Sequence, residues 1–218
     1  YIIVKNNSFR TNEKYNFFFL LILRIFTVNT IDEILSVNKD LNKNNIFFEI
    51  IEPPELEYTY KIKPAKNFGT NFNFFEKRIN LIPLNPLNGC QYSKNADELK
   101  GNVALIKRGE CSFFMKAINA EKIGAKAVII FDDFPSNFEK IRDTPMWVDH
   151  FYIKMIKDEN IDESIIVNIP VGFLHGKNGR MILNTLNRLQ MKFALINIPI
   201  NITHRDISEL HQPPWISW

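Results

Sequence analysis

The chain has 218 residues, of which 45% are hydrophobic and 13% are aromatic, including 19 phenylalanines. A chain of this length and composition can bury enough apolar surface for one domain with a sizeable core, which argues against disorder as its general state. The formal net charge is only +3, and the 27 basic residues are scattered among 24 acidic ones. Nucleic-acid binding therefore has little support.

The N-terminal segment has the order of a secretory signal peptide, in which basic residues precede a short hydrophobic run. The run occupies 17–23 and is too short to span a bilayer. Arg24 interrupts the hydrophobic stretch, so a buried helix or strand is the alternative interpretation. We expect a signal peptide over 1–30, a polar linker over 31–45, and a folded domain with a C-terminal extension over 46–218. No later segment qualifies as a membrane span, so the pattern predicts a soluble, secreted protein.

The folded region begins with short apolar runs that favour β-strands, at 46–51 and 58–62. The next apolar stretch, 79–84, contains one proline and is followed by another. Because proline cannot donate a hydrogen bond to a neighbouring strand, this stretch predicts an edge strand or an extended loop.

A strand, a helix and a second strand follow in close succession. Residues 103–106 are continuously apolar, as in a strand buried on both faces. A helical pattern then begins after Ser112, which can cap its start, and Gly124 can close its end. Residues 127–131 form the second buried strand, and this order is typical of a crossover between parallel strands. Two later elements complete a chain of mixed α and β class: a helix over 178–189 and a strand over 193–198.

Residues 101–130, GNVALIKRGECSFFMKAINAEKIGAKAVII, resemble the signature block of the protease-associated domain. The resemblance depends on Arg108-Gly109, Cys111, Lys116 and the apolar strand after Gly124. The resemblance extends beyond this block, from about residue 48 to the end of the chain. The segment 134–149 looks longer than the family's connection and has no assigned family role.

The resemblance implies a mixed α and β fold, with a β-sandwich or an open barrel-like sheet flanked by helices. It implies a secreted, non-catalytic module that binds another protein, such as a protease or a receptor. One alternative is a lumenal or accessory domain of a larger membrane or protease assembly. Another is an unrecognised hydrolase, although no phosphate-binding loop, nucleophile motif or zinc-binding helix is recognisable in the sequence. We expect no cofactor and no metal.

Two kinds of covalent modification are implied by the same resemblance. Cys90 and Cys111 occupy positions similar to the paired cysteines of secreted members, which predicts a disulfide. Two buried thiols would be the better interpretation in a cytosolic protein. Asn201-Ile202-Thr203 is a glycosylation sequon at a position where the resembled family carries one, so Asn201 is expected to bear a glycan.

Four further residues are candidate contacts for a ligand or partner. Asp132 and Asp133 follow a buried strand, where open α/β sheets often bind ligands, although solvated carboxylates are the alternative. Trp215 and Trp218 would form an aromatic binding patch or fold back to cover the sheet. The nearby residues His204, Asp206, Glu209 and His211 fit no zinc-binding spacing, and we expect them to form a solvated polar loop.

Overall fold

The computed structural model describes residues 45–73, 75–132, 155–157, 162, 164–174, 177–202, 205 and 209–215. Within these ranges the strands form one barrel, and they are β1 (Ile46–Glu52), β2 (Thr59–Pro64), β3 (Glu76–Pro83), β4 (Val103–Lys107), β5 (Ala127–Phe131), β6 (Val171–Leu174) and β7 (Ala194–Ile198). The α-helices of the same ranges are α1 (Ala96–Leu99), α2 (Phe113–Ile123) and α3 (Asn178–Arg188), and a 3-10 turn lies at Pro54–Leu56. No helix in this described part of the chain is long and apolar enough to cross a membrane.

The barrel is closed, with the strand order β1-β2-β6-β5-β4-β3-β7 and a final pairing of β7 with β1. Strands β3, β4, β5 and β6 run parallel to one another. The other pairs are antiparallel. The expected mixed fold with a barrel-like sheet and flanking helices is thus confirmed, and the sheet closes on itself.

Strand β3 corrects the prediction of an edge strand or extended loop at 79–84. It pairs with β4 on one side and with β7 on the other, so it is an interior member of the sheet. Pro83 is its last residue and lies opposite Leu105. A proline at the end of a strand removes only a terminal donor, which is why the strand tolerates it.

Helix α2 has the boundaries that its sequence predicts. The side chain of Ser112 accepts a hydrogen bond from the Met115 amide at 3.2 Å, which satisfies one free donor of the first turn. Gly124 ends the helix in the left-handed conformation at φ +94°, and its amide donates to the carbonyl of Ala120. The predicted cap and stop residues are both confirmed.

The strands bury their two faces in two separate hydrophobic cores, because successive side chains point to opposite sides of a sheet. Val103 and Leu105 of β4 belong to one core, which also contains Ile182 and Leu186 of α3. The alternate residues of β4 belong to the other core, together with the buried face of α2: Ala104, Ile106, Phe114, Ala117, Ile118 and Ala120. This double burial explains why 103–106 is continuously apolar.

Two predicted segments lie outside the described residues. The signal peptide predicted over 1–30 and nearly all of the predicted linker fall within 1–44. The unassigned connection 134–149 also lies outside them. These assignments stay predictions.

Candidate functional site

A disulfide joins Cys90 and Cys111, as the resemblance implies, with 5.8 Å between their Cα atoms. Cys90 lies in the connection after β3, and Cys111 lies in the turn between β4 and α2. The bond therefore ties together two turns on either side of strand β4. Both cysteines are partly accessible to solvent.

The side chain of Lys116 lies fully buried beside this disulfide. Its ammonium donates hydrogen bonds to the carbonyl oxygens of Asn88 at 2.5 Å and Gly109 at 2.7 Å. The same Nζ lies 3.4 Å from Sγ of Cys90. We call the disulfide and this lysine, with the two carbonyl groups, the disulfide site.

Two opposing influences act on the pKa of Lys116. Burial lowers the pKa of its ammonium, while the negative charge of Glu110 acts in the other direction. The carboxylate of Glu110 also accepts a hydrogen bond from the side chain of Asn88. Lys116 thus links the turn before Cys90 to the turn before Cys111 through polar contacts. The disulfide joins the same two turns covalently.

In the sequence, Lys116 is recognisable only as part of the family block, without a structural role. A signal was present, because Lys116 lies three residues after Phe113 and four before Ala120 and so shares the inward side of the predicted helix. A charged residue at such a position requires buried polar partners. Those partners are backbone carbonyls of distant turns, which a local pattern does not reveal.

Asp132 lies immediately after β5 and forms an ion pair with Arg108, which follows β4. Asp132 Oδ2 and Arg108 Nη1 are 2.5 Å apart, and the aspartate side chain is only 16% exposed. The neighbouring Asp133, the other candidate at this edge, lies outside the described residues. Asp132 therefore already has a partner within the fold.

Trp215 packs back onto the domain. Its indole Nε1 donates a 2.9 Å hydrogen bond to Oδ1 of the buried Asn178, at the start of α3. Its ring meets Tyr58 edge to face at 5.4 Å, and Tyr58 also contacts His211. Trp218 lies outside the described residues. The structure thus places Trp215 in a contact that covers part of the fold.

The candidate metal ligands are not brought together in the part of the chain that can be described. His204 and Asp206 lie outside it, and His211 packs against an aromatic ring. No group of three or more histidine, cysteine, aspartate or glutamate side chains among the described residues is arranged to hold a metal ion.

An exposed apolar surface lies over the N-terminal half of α2 and the extended segment before β6. We call it the apolar surface, and it consists of the exposed side chains of Met115, Ile165 and Ile166, which lie beside the buried Phe114 and Ile118. Ile166 is 67% exposed, and Met115 and Ile165 are 42% and 43% exposed. Two adjacent depressions of about 410 and 370 Å³ share Phe114, Ile165 and Ile166 in their linings.

The segment 165–168 is held in place by contacts to both of its flanks. The Asn168 amide donates to Oε1 of Glu121 on α2 at 3.0 Å. Lys157 donates to the carbonyl of Ile165 at 3.0 Å, and its Nζ lies 4.9 Å from the centre of the Phe114 ring. Such anchoring keeps Ile166 directed outward while its neighbour Val167 is buried.

The sequence alone did not indicate this surface. Ile165-Ile166-Val167 is an apolar triplet, but it is too short to distinguish a buried strand from an exposed patch. Its position beside α2 depends on contacts made across the fold. The exposure of Ile166 could therefore be recognised only in three dimensions.

Comparisons with known proteins identify the same family that residues 101–130 resemble. The PA domain family matches residues 78–182. A PRADC1-like protein of Drosophila melanogaster is 43% identical over 195 residues, which cover 89% of this chain and 93% of the fly protein. The human ER degradation-enhancing alpha-mannosidase-like protein 3 is 34% identical over 113 residues, which cover 51% of this chain and 11% of that protein.

Among solved structures, a zinc aminopeptidase from Bacillus subtilis aligns with 72% of this chain at 20% identity and a TM-score of 0.43. The chain spans only 30% of that enzyme. The assignment instead follows from the near full-length match to the fly protein, from the family match over β3 to α3, and from the closed barrel with its disulfide. The chain belongs to the protease-associated domain family, in the group that includes the PRADC1-like protein.

Proposed function

We propose that this chain is a secreted, non-catalytic module whose apolar surface binds an extended segment of a partner protein, such as a protease or a receptor. The observation that carries the proposal is the exposure of Ile166, which lines two adjacent depressions. Depressions of this size suit side chains or small ligands. Exposed apolar clusters of this kind commonly mark protein-interaction sites.

The charges around the apolar surface favour a partner segment with acidic residues beside its apolar ones. Lys157 lines one depression and Lys122 lines the other. The carboxylate of Glu121, which also lines the second depression, is already occupied by the Asn168 amide. A partner carboxylate near either lysine would gain favourable electrostatic contact, which mainly increases specificity and association rate.

Location in the secretory pathway is supported by the disulfide, because such bonds persist in oxidising compartments. The name of the human relative places that protein in degradation at the endoplasmic reticulum. The chain matches only a small part of that relative, so a lumenal accessory domain of a larger assembly is the second candidate. Detection of this chain in the medium of expressing cells would favour the secreted form.

A non-catalytic role is supported by the contacts that two of the candidate residues make within the fold. Asp132 is engaged by Arg108, and Trp215 is engaged by Asn178. PA domains occur as accessory modules beside catalytic domains. We therefore propose that partner binding at the apolar surface, and not hydrolysis at Asp132 and Asp133, is the activity of this domain.

Replacement of Ile166 by aspartate is expected to weaken partner binding at least about tenfold, because interface anchors typically contribute more than about 1.4 kcal/mol. The free energy of unfolding should change by less than about 0.5 kcal/mol, since Ile166 is largely exposed. Partners would be captured on the immobilised chain from conditioned medium, identified by mass spectrometry, purified, and titrated against both proteins by calorimetry.

The matched control is Phe193→Asp, which places the same charge at an exposed apolar residue outside the apolar surface. It should leave the affinity of the purified partner unchanged. Equal affinities for the parent chain and Ile166→Asp, or equal losses in both variants, would rule out the apolar surface as the binding site.

Replacement of Asn201 by glutamine is expected to remove one N-linked glycan from the secreted chain. Asn201 is exposed just after β7, and an exposed sequon is accessible to the glycosylation machinery. Intact mass spectrometry before and after glycosidase treatment measures the change. Asn187→Gln, an exposed asparagine outside any sequon, is the control and should retain the glycan. A parent and an Asn201→Gln variant whose masses differ only by the one methylene group of the substitution would exclude modification at Asn201.

A further inference from the structure

The two sulfur atoms of the disulfide have different surroundings. Lys116 Nζ lies 3.4 Å from Sγ of Cys90. The positive charge of the disulfide site therefore lies in direct contact with Sγ of Cys90.

The two cysteines also differ in their neighbours. Cys111 follows a turn whose residues Arg108, Gly109 and Glu110 are all exposed. Cys90 follows the buried Gly89, whose position would place a Cβ only 2.9 Å from Ile106. The backbone before Cys90 is therefore packed tightly against β4, whereas the three residues before Cys111 are exposed to solvent.

We propose that Cys111 is the site at which a small external monothiol of the glutathione class forms a mixed disulfide, and that Cys90 is the leaving group. The external thiolate attacks Sγ of Cys111 and forms a new sulfur–sulfur bond. The bond between Cys111 and Cys90 breaks, and its electron pair remains on Cys90 as a thiolate. No net oxidation occurs, because one disulfide and one thiolate give another disulfide and another thiolate.

The position of Lys116 determines this direction. A thiolate at Cys90 would lie beside an ammonium, and nearby positive charge stabilises thiolates. Exchange is faster when the departing thiol has the lower pKa. The charged groups near Cys90 are Lys116, which favours its thiolate, and Glu110, which opposes it; the Glu110 carboxylate is bound to the side chain of Asn88. The direct contact of the ammonium makes Lys116 the stronger of the two influences.

The reverse reaction uses the same atoms. The Cys90 thiolate, held near Cys111 by the fold, attacks Sγ of Cys111 and expels the external thiol. The intramolecular disulfide is thereby restored. Cys111 is thus a reversible modification site, and Cys90 is its resolving thiol.

The test uses the oxidised full-length chain with no substitution. The chain is treated briefly with reduced glutathione, quenched with acid, alkylated with N-ethylmaleimide and digested with trypsin. Cleavage after Arg78, Lys94, Arg108 and Lys116 separates the two cysteines into the peptides 79–94 and 109–116. We expect glutathione on Cys111 and maleimide on Cys90 in excess over the opposite pattern by more than about threefold. Equal labelling, or glutathione mainly on Cys90, would overturn the proposal.

The role of Lys116 is tested by comparing Lys116→Met with Lys122→Met, an exposed lysine on the same helix. Lys122→Met should retain the labelling preference, and Lys116→Met should lose it. In single-cysteine variants, the pKa of the Cys90 thiol in Cys111→Ser should lie at least about one unit below that of Cys111 in Cys90→Ser. The pH dependence of alkylation by iodoacetamide measures both values. Matching pKa values would contradict the assignment even if a lysine variant failed to fold.

Discussion

Replacing both Cys90 and Cys111 by serine is expected to lower the free energy of unfolding by about 3 kcal/mol. The bond spans a sequence separation of 21, and closing a loop of that length restricts the unfolded chain by about this amount. The loop that the disulfide closes contains α1 and β4. Loss of the disulfide therefore increases the conformational freedom of a segment that includes β4, which pairs with β3 and β5. Urea unfolding of the oxidised parent and the double variant measures the difference.

Reduction of the parent chain is the control for this prediction. The reduced parent retains both sulfur atoms but loses the covalent link, so its stability should fall nearly as far as that of the double variant. A change of less than about 1 kcal/mol in both samples would contradict the prediction. It would show that native-state strain or residual structure in the unfolded chain cancels the effect of loop closure.

The unit from β4 through α2 to β5 could be predicted from sequence because its signals are local. Two continuous apolar runs indicate strands, and Ser112 and Gly124 mark the ends of the helix between them. Each of these features depends on neighbours within a few residues. Helix caps and hydrophobic periodicity are accordingly the strongest signals in this chain.

Closure of the barrel could not be derived from local pattern alone, because it depends on pairings between distant segments. Glu49 of β1 lies opposite Asn197 of β7, at the other end of the domain. The error at β3 has the same origin, since the effect of Pro83 depends on where the strand ends relative to its partner. The family resemblance supplied the barrel-like sheet, whereas the residues themselves indicated only separate strands.

The same difference between local sequence signals and contacts of distant segments applies to the candidate sites. The cysteine pairing followed from resemblance to the family, but the contacts that surround it did not. Asp132 was a reasonable candidate at the end of a strand. It forms an ion pair with Arg108, which follows the adjacent parallel strand. The apolar surface arises where a short segment before β6 meets α2, and that contact joins residues far apart in sequence.

Replacing Lys116 by methionine is expected to lower the free energy of unfolding by about 2 kcal/mol. The substitution removes two hydrogen bonds donated by a charged group, and it leaves the carbonyls of Asn88 and Gly109 without that donor. Relief of the cost of burying an ammonium offsets part of the loss, which keeps the expected change below the sum of the two bonds. Urea unfolding with the disulfide intact measures the effect.

Lys122→Met is the matched control, because it removes the same charge from an exposed position of α2 and should change stability by less than about 0.5 kcal/mol. The Lys116 variant should also lose less stability when its disulfide is already reduced. The two turns then separate more easily, and neighbouring interactions of this kind are not additive. Full additivity would mean that the lysine and the disulfide stabilise the two turns independently. An unchanged stability in the oxidised Lys116→Met chain would instead show that the buried ammonium contributes nothing net, and that the disulfide alone holds the turns together.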